Sequence, residues 1–326
     1  MARAVSDAFE IAQPRRRARL QEPVSPLAVP ANRLGAASGG DISRRERPWG
    51  SALAALLPGE RLHLQHGPID IVAKAFGPPE AVADGYGRAA TRFATVLAEL
   101  VAELPGLRSE RHAFAGAVAQ RMAAAVAPFR PAFITPMAAV AGAVAEEVLA
   151  ALSGPDISRA YANNGGDIAL WLAPQESLTC ALAVTGGLDR VTVHEADLVR
   201  GIATSGWRGR SFSFGVADAV TALARTASMA DAAATMIANA VNLDHPGIGR
   251  RPAQQVQCDS DLGERLVTVA VPPLAASERA LALDAGLSAA ESFRARGLIA
   301  GAALFLQGDA RLTGVLGLSG REVACG

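Results

Sequence analysis

The sequence predicts an α+β fold: a single globular domain over residues 48–326, in which mixed or antiparallel sheets pack with helices, preceded by a disordered tail over residues 1–47. Three observations predict it. Helical periodicity dominates the first half of the ordered region, while short apolar runs punctuated by glycine dominate the second. Helices and strands therefore segregate, where a doubly wound α/β chain would alternate them. Half of the 326 residues are apolar, and a chain of this length buries a sizeable core without disulfide or metal staples. No period of roughly twenty to fifty residues is visible, which sets repeat architectures aside.

The elements follow in order. Residues 1–47 are rich in Pro, Arg, Gly and Ser and lack a hydrophobic period, the composition of a solvated tail. Arg15, Arg16, Arg17 and Arg19 lead into no apolar stretch, so a secretory signal is not expected. Order is expected from near Trp49. Residues 61–65 and 69–76 read as a hairpin around His66-Gly67-Pro68. Residues 80–104 have helical spacing, with Val96, Leu97, Leu100 and Val101 on one side, and Pro105-Gly106 stops them. Ser109 is expected to cap a second helix running to Val126, and Pro136 to open a third that ends at Leu152. Short strands are then expected over 159–163, 167–173, 178–184, 191–194, 201–204 and 219–224, with Gly165-Gly166 and Gly186-Gly187 between them. A helix over 229–241, a polar loop, a strand over 266–271, a helix over 276–296 and a strand over 298–306 complete the chain.

Composition excludes several functions. Lys+Arg and Asp+Glu both total 31, so no global field exists to hold nucleic acid or an anionic membrane. The expected partner is a small-molecule ligand held by local geometry, and a homo-oligomer is compatible with the sequence. Lys74 is the one lysine in the chain, which removes a P-loop, since that motif needs a lysine beside its glycines. Cys180, Cys258 and Cys325 are isolated and odd in number; they supply neither zinc spacing nor a disulfide framework, and a cytoplasmic location is expected. The Ala-rich stretch 138–152 is broken by Glu146 and Glu147 and reads as a buried helix, not a membrane span.

Candidate chemistry concentrates in residues 201–239, GIATSGWRGRSFSFGVADAVTALARTASMADAAATMIAN. Asp231 and Thr235 lie four apart on the predicted helix and share a face. A carboxylate and a hydroxyl at that spacing suit one hard cation, Mg²⁺, which keeps water and phosphate oxygens as further ligands. Ser228 and Asp231 also form an S-x-x-D pattern, a helix-capping box, and spacing alone favours that second reading. Thr204, Ser205 and Gly206 follow a short strand, where small residues let backbone N–H groups approach a phosphate. Arg208 and Arg210 follow as bidentate phosphate partners, or as solvated loop charges. Asn164, Gly165, Gly166 and Asp167 form a strand turn that allows close backbone approach to a ligand, and a plain hairpin turn explains them nearly as well. The polar loop 242–261 offers His245 as a general base and Asp261 as its acidic companion, against the bland reading of a solvated loop with D-H-P and D-S-D turns. His63, His66, His112 and His194 are scattered and read as structural.

The Ala-rich helix, the N-G-G-D turn, the A-T-S-G segment, the V-T-A-L-A strand and the A-D-A-A-A-T helix, in that order, resemble the ApbE-like superfamily of FAD:protein FMN transferases. The resemblance covers roughly residues 135–241. RLHLQHGPIDIVAKAFG, YANNGGDIAL, GIATSGWRGRSFSFGVADAV and the DSDLG loop more closely resemble an uncharacterised family placed in that superfamily. The resemblance implies an ApbE-like fold, FAD or a related nucleotide as cofactor, and Mg²⁺ bound by Asp231 and Thr235, with a backbone carbonyl from Ala138 or a neighbour. The transferases carry an alanine-lysine-glycine motif where this chain has Val140-Ala141-Gly142. They carry a His-x-x-Asp-Pro segment where it has Ser211-Phe212-Ser213-Phe214-Gly215, so transfer of FMN to a protein is not implied. Three functions are therefore expected in order: a Mg²⁺-assisted transferase or pyrophosphate-cleaving enzyme on a flavin, nucleotide or other phosphorylated small molecule; a non-catalytic flavin- or nucleotide-binding protein; and an enzyme on a small metabolite using the His245–Asp261 loop.

Overall fold

A computed structural model describes residues 50–110, 113–184 and 187–314. The expectations placed on the Arg-rich N-terminal segment, on His112, on Gly186 and on Cys325 lie outside those residues. The chain opens with three antiparallel strands, β1 (Leu53–Leu57), β2 (Arg61–His66) and β3 (Ile69–Phe76). Alternation decides their faces: Leu62, Leu64, Ile69, Ile71 and Ala73 point to the core, while His63 and Asp70 point away from it, as a two-residue period requires. Helix α1 (Pro79–Ala102) packs its buried Phe93, Val96, Leu97 and Leu100 against that core. A one-turn helix α2 (Leu104–Leu107) follows, and α3 spans Ala117–Val126. Ser109 does not cap α3 as expected; its hydroxyl donates to Gly106 O, and the helix begins eight residues later.

Pro136–Ala139 is a 3₁₀ turn that leads into α4 (Val140–Leu152), so the expected third helix is present with a tighter start. Strands β4 (Arg159–Asn164), β5 (Asp167–Leu172), β6 (Ser177–Val184), β7 (Gly187–His194), β8 (Gly201–Ser205) and β9 (Ala219–Ala224) come next. Then follow α5 (Ala227–Ala240), β10 (Gly249–Pro252), one-turn α6 (Ala253–Val256), β11 (Leu266–Ala270), α7 (Ala276–Ala295), β12 (Gly301–Leu306) and β13 (Asp309–Gly314). The short strands β1, β10 and β13 are not visible in the sequence pattern: β1 is apolar at all five positions and shows no alternation, while β10 and β13 hold few apolar residues, and burial of all three is partial.

Among the described strands, nine form one antiparallel sheet in the order β1-β2-β3-β4-β5-β8-β9-β12-β13. The α+β class is thus observed. The long helices share one core with one face of this sheet. On the other face, the β6–β7 hairpin lays Leu178, Cys180, Val191 and Val193 on Tyr161, Ile168, Leu170 and Leu223 of the sheet. Strand β9 is buried along its whole length, as a strand covered on both faces must be. Each fully buried Leu or Phe contributes roughly 1.5–3 kcal/mol, so both cores are substantial. No helix among the described residues is long and apolar enough to cross a membrane.

Alanine-rich α4 and α5 approach unusually closely. Gly142 lies against the backbone of α5, where a Cβ would come within 2.7 Å of Ser228 N. Small residues on both helices allow this contact, and it positions the site described next.

Candidate functional site

A cavity of about 260 Å³ opens where the start of α4, the β4–β5 turn and one face of α5 meet. Its floor belongs to α5. Asp231, Thr235 and Asn239 recur every four residues and all line the cavity, while Ala230, Ala234 and Ala238 on the neighbouring stripe are buried in the core. The first two are the pair read as a cation site. Asn239 is a lining residue that the sequence reading passed over, although its spacing placed it on the same helical face.

Asp231 does not cap its own helix, so the capping-box reading is corrected. Thr226 is the N-cap of α5, its hydroxyl accepting from Met229 N at 3.2 Å. Asp231 sits a turn further on and reaches across to α4, where its Oδ2 accepts from Gly142 N at 3.0 Å. Glu146 of α4 returns the contact by accepting from Ser228 N at 2.6 Å. Each helix thus has a backbone donor of its first turn satisfied by a carboxylate of the other.

Asp167 reaches the same cavity from the β4–β5 turn. Gly165 and Gly166 take φ of 68° and 117°, the positive values a tight two-residue hairpin demands. Asn163 Oδ1 accepts from Gly166 N at 2.8 Å to brace it. Asn164, buried, donates from Nδ2 to Ala141 O at 3.1 Å, tying the turn to the start of α4. Thr204 N donates to Asp167 Oδ1 at 3.3 Å. The turn is therefore both a hairpin and a scaffold for the carboxylate.

Both acids are held above the ordinary carboxylate range. Burial lifts Asp167 to about 7, against the lowering influence of the Thr204 N–H and of Arg210. Burial also pushes Asp231 well above the ordinary carboxylate range; the nearby Asp167 charge adds to that, and the N–H groups of Gly142 and Ala141 offset part of it. Desolvation and like-charge proximity both disfavour the ionised form. Ala138 lines the cavity from the 3₁₀ turn. No group of three or more His, Cys, Asp or Glu side chains placed to hold one metal ion occurs among the described residues. Two carboxylates and a hydroxyl are an all-oxygen set, the donor chemistry of a hard cation such as Mg²⁺ and not the nitrogen and sulfur preference of zinc.

The residues read as phosphate contacts separate into two groups. Arg210 lines the cavity, packed on Gly165, and no carboxylate lies within ion-pair distance of it among the described residues. Arg208 does not line the cavity: its Nε donates to buried Asp218 at 2.7 Å, so its charge is spent on a carboxylate that Trp207 and Gln307 also hold. The Thr204 hydroxyl pairs with that of Thr221 at 2.8 Å. Ser205 continues β8 opposite Val220. Gly206 passes close to the chain, where a Cβ would lie 2.5 Å from Asp218 O. The A-T-S-G segment therefore serves the sheet and the Asp167 hydrogen bond, and its side chains do not face the ligand space.

The polar loop divides likewise. Asp261 lines the cavity and accepts from the buried Thr135 hydroxyl at 2.7 Å. His245 does not line it. Its Nδ1 accepts from Gly247 N at 3.0 Å, and its Nε2 lies 3.6 Å from Glu278 at the start of α7. The pairing of His245 with Asp261 as base and acid is corrected: the ring is committed to its own turn and to α7. Arg250 donates to Phe214 O and to Asn242 Oδ1, the latter at 2.6 Å, and so supports the segment that carries Phe212 and Phe214. Those two rings and Phe133 line the cavity, with Phe133 and Phe214 6.3 Å apart and Arg265 stacked 3.4 Å over Phe133. Two of the three rings of this aromatic wall come from the 211–215 run. The F-x-F spacing is its only trace in the sequence.

Comparison with known proteins follows the same boundaries. A family model described as "AbpE bacteria" matches residues 54–312, nearly the whole described domain. The UPF0280 protein of Methanopyrus kandleri is 38% identical over 157 residues, covering 47% of this chain and 61% of that protein. The UPF0280 protein of Methanococcoides burtonii is 36% identical over 118 residues, covering 35% of this chain and 49% of its own length. That of Methanocaldococcus jannaschii is 41% identical over 113 residues, covering 33% and 45%. The chain thus spans from 45% to 61% of the length of these curated relatives.

Proposed function

The chain belongs to the AbpE bacteria family, and on that premise we propose that it is an ApbE-like, Mg²⁺-assisted enzyme acting on a phosphorylated, ring-bearing small molecule of the flavin or nucleotide class. One observation carries the reading. Asp167 and Asp231 come from different elements and face one cavity, both with proton affinity raised by burial, and the Asp167 charge raises that of Asp231 further. Two half-buried acids facing one open space are poorly placed for stability alone and well placed for a hard cation.

The residues fit that ion. Asp231 and Thr235 lie one turn apart, Asp167 stands across from them, and Ala138 lines the cavity beside them. Bound Mg²⁺ supplies neutralisation of the carboxylates and of phosphate oxygens in the same space. The rest belongs to the chain itself. Gly142 N and Asn164 hold Asp231 and the start of α4 in place, Thr204 N holds Asp167, and Arg210, near Asp167 but in no ion pair among the described residues, is the guanidinium for a phosphoryl oxygen. Phe133, Phe212 and Phe214 offer ring surface and exclude water from one wall. Asp261 is a further carboxylate on the lining, fixed by Thr135.

The test is calorimetric binding of FMN, FAD and ADP, with Mg²⁺ and with EDTA, to the wild type and to Asp231→Ala. Binding that needs Mg²⁺ in the wild type and vanishes in the variant is the expected result. Identical behaviour of the two proteins removes the cation from the account. Incubation with FAD and Mg²⁺, followed by product analysis, separates an enzyme from a binding protein: the appearance of AMP or FMN supports catalysis.

A further inference from the structure

Asn239 follows Asp231 by eight residues on α5 and lines the same cavity. At 1.5 Å per residue it stands about 12 Å further along the helix axis, too far to share a cation with that acid. Its amide is held in one orientation. Phe214 N donates to Oδ1 at 2.8 Å, and the buried Ser213 hydroxyl donates to the same atom at 3.2 Å. A backbone N–H faces only the oxygen of an amide, so Oδ1 and Nδ2 are not interchangeable here. The two donors fill both lone pairs of that oxygen. Among the described residues Nδ2 donates to no protein acceptor. The sealed side-chain atoms without a partner belong to His66 and Arg159, so Nδ2 is reached from open space, and the open space that Asn239 lines is the cavity.

An asparagine with both amide groups free reads adenine through a paired donor and acceptor. Asn239 lacks that option, because its oxygen is occupied. It presents donors only. A ring edge that turns an amino group toward Nδ2 sets donor against donor and leaves both unpaired, whereas a ring carbonyl accepts from it. Phe214, whose own N–H holds the amide, and Phe212 lie on the same lining, and their ring faces suit stacking by a planar heterocycle. The support is itself pinned: Ser213 Oγ accepts from Gly215 N at 3.1 Å, and Phe214 O accepts from Asn242 Nδ2 at 3.2 Å.

From the fixed amide and the ring surface beside it we infer that Asn239 sets the specificity of the site, selecting a heterocycle that presents a ring carbonyl over one that presents an amino group. This inference rests on the ring-bearing, phosphorylated ligand proposed above. Two pairs of probes isolate the ring edge: IMP against AMP, and UMP against CMP. Each pair is matched in phosphate and ring size and differs in an oxo or an amino substituent. Calorimetric titration of the full chain in Mg²⁺ is expected to show the oxo member bound at least about tenfold more tightly in whichever pair binds. Asn239→Asp keeps an oxygen for Phe214 N and Ser213 and replaces the donor with an acceptor, so the preference is expected to vanish or reverse. Comparison within a pair cancels the added charge. Equal affinities within both pairs, or an oxo preference that survives in folded Asn239→Asp, overturn the inference while Mg²⁺-dependent binding still supports the cation. Should the variant fail to fold, the wild-type pairs decide alone. If none of the four binds, the inference is overturned as well, and the FMN, FAD and ADP titrations above decide the cation reading separately.

Discussion

Asp231 Oδ2 accepts a hydrogen bond from Gly142 N at 3.0 Å, joining the middle of α5 to the first turn of α4. The same carboxylate lines the cavity. Asp231 thus has a structural and a ligand-facing role at once, and the two are separable by substitution. Asp231→Asn keeps an oxygen for Gly142 and removes the repulsion with Asp167, so without metal its melting temperature is expected at or above that of the wild type. Asp231→Ala loses the cross-helix cap and is expected to lose about 1 kcal/mol. Both variants are expected to lose any Mg²⁺-induced rise in melting temperature. A full rise in Asp231→Asn would sink the assignment of this carboxylate to the cation.

Stability should depend on pH with a definite sign. Asp167 is lifted to about 7 in the folded protein, against about 3.9 in an unfolded chain. Between those values the folded state holds the proton that the unfolded state has released, so unfolding free energy falls as pH rises. The metal-free protein is therefore expected to melt at progressively lower temperature from about pH 4 to about pH 7. Asp167→Asn flattens that slope. Added Mg²⁺ stabilises more strongly as pH rises, because it favours the ionised pair. Melting curves across this range in EDTA and in Mg²⁺ check each statement.

Gly142→Ala places a methyl group against the α5 backbone, within 2.7 Å of Ser228 N. Neither helix can yield without disturbing the Asp231 and Glu146 contacts. A loss of about 1–3 kcal/mol, typical of overpacking, is expected in urea denaturation. Weakened Mg²⁺ binding should accompany it.

Arg210 is exposed on the cavity rim, so Arg210→Ala is expected to leave the melting temperature unchanged. Affinity for a phosphorylated ligand should fall about ten- to a hundredfold, the loss of a charge-assisted hydrogen bond of roughly 1.5–3 kcal/mol. Ligand affinity equal to that of the wild type would show that the phosphoryl group lies elsewhere.

His245→Ala is expected to leave ligand and Mg²⁺ binding intact, because its ring nitrogens face Gly247 N and Glu278. The measurable consequence is a stability loss of about 0.5–1.5 kcal/mol. Abolished ligand binding in a folded variant would return the histidine to the site.

Local features of this protein were legible in the sequence for physical reasons that can be named. The stripe Asp231, Thr235 follows from the 3.6-residue period, and the same arithmetic reaches Asn239. The hairpin β2–β3 follows from alternation around Gly67-Pro68. The paired glycines at 165 and 166 announce a turn, because positive φ at both positions suits them and few other residues. The amino-acid order alone therefore determined which helix face carries the side-chain oxygens of Asp231 and Thr235, and which turn brings Asn164 beside Asp167.

What that order could not convey is which of these local pieces face one another. The strand order β5-β8-β9 and the close seating of α4 on α5 bring Asp167 to Asp231, with 63 residues and three crossings of the sheet region between them. The same packing takes Arg208 to Asp218 and turns His245 toward α7, away from the cavity, although both have the residue types and neighbours of a ligand-binding group. Periodicity is a property of one element, whereas a site is a property of how elements share buried surface. Only the tertiary structure decided that Asp231 caps α4 and not α5, because the competing donors, Gly142 N and its own first-turn N–H groups, differ in position and not in chemistry.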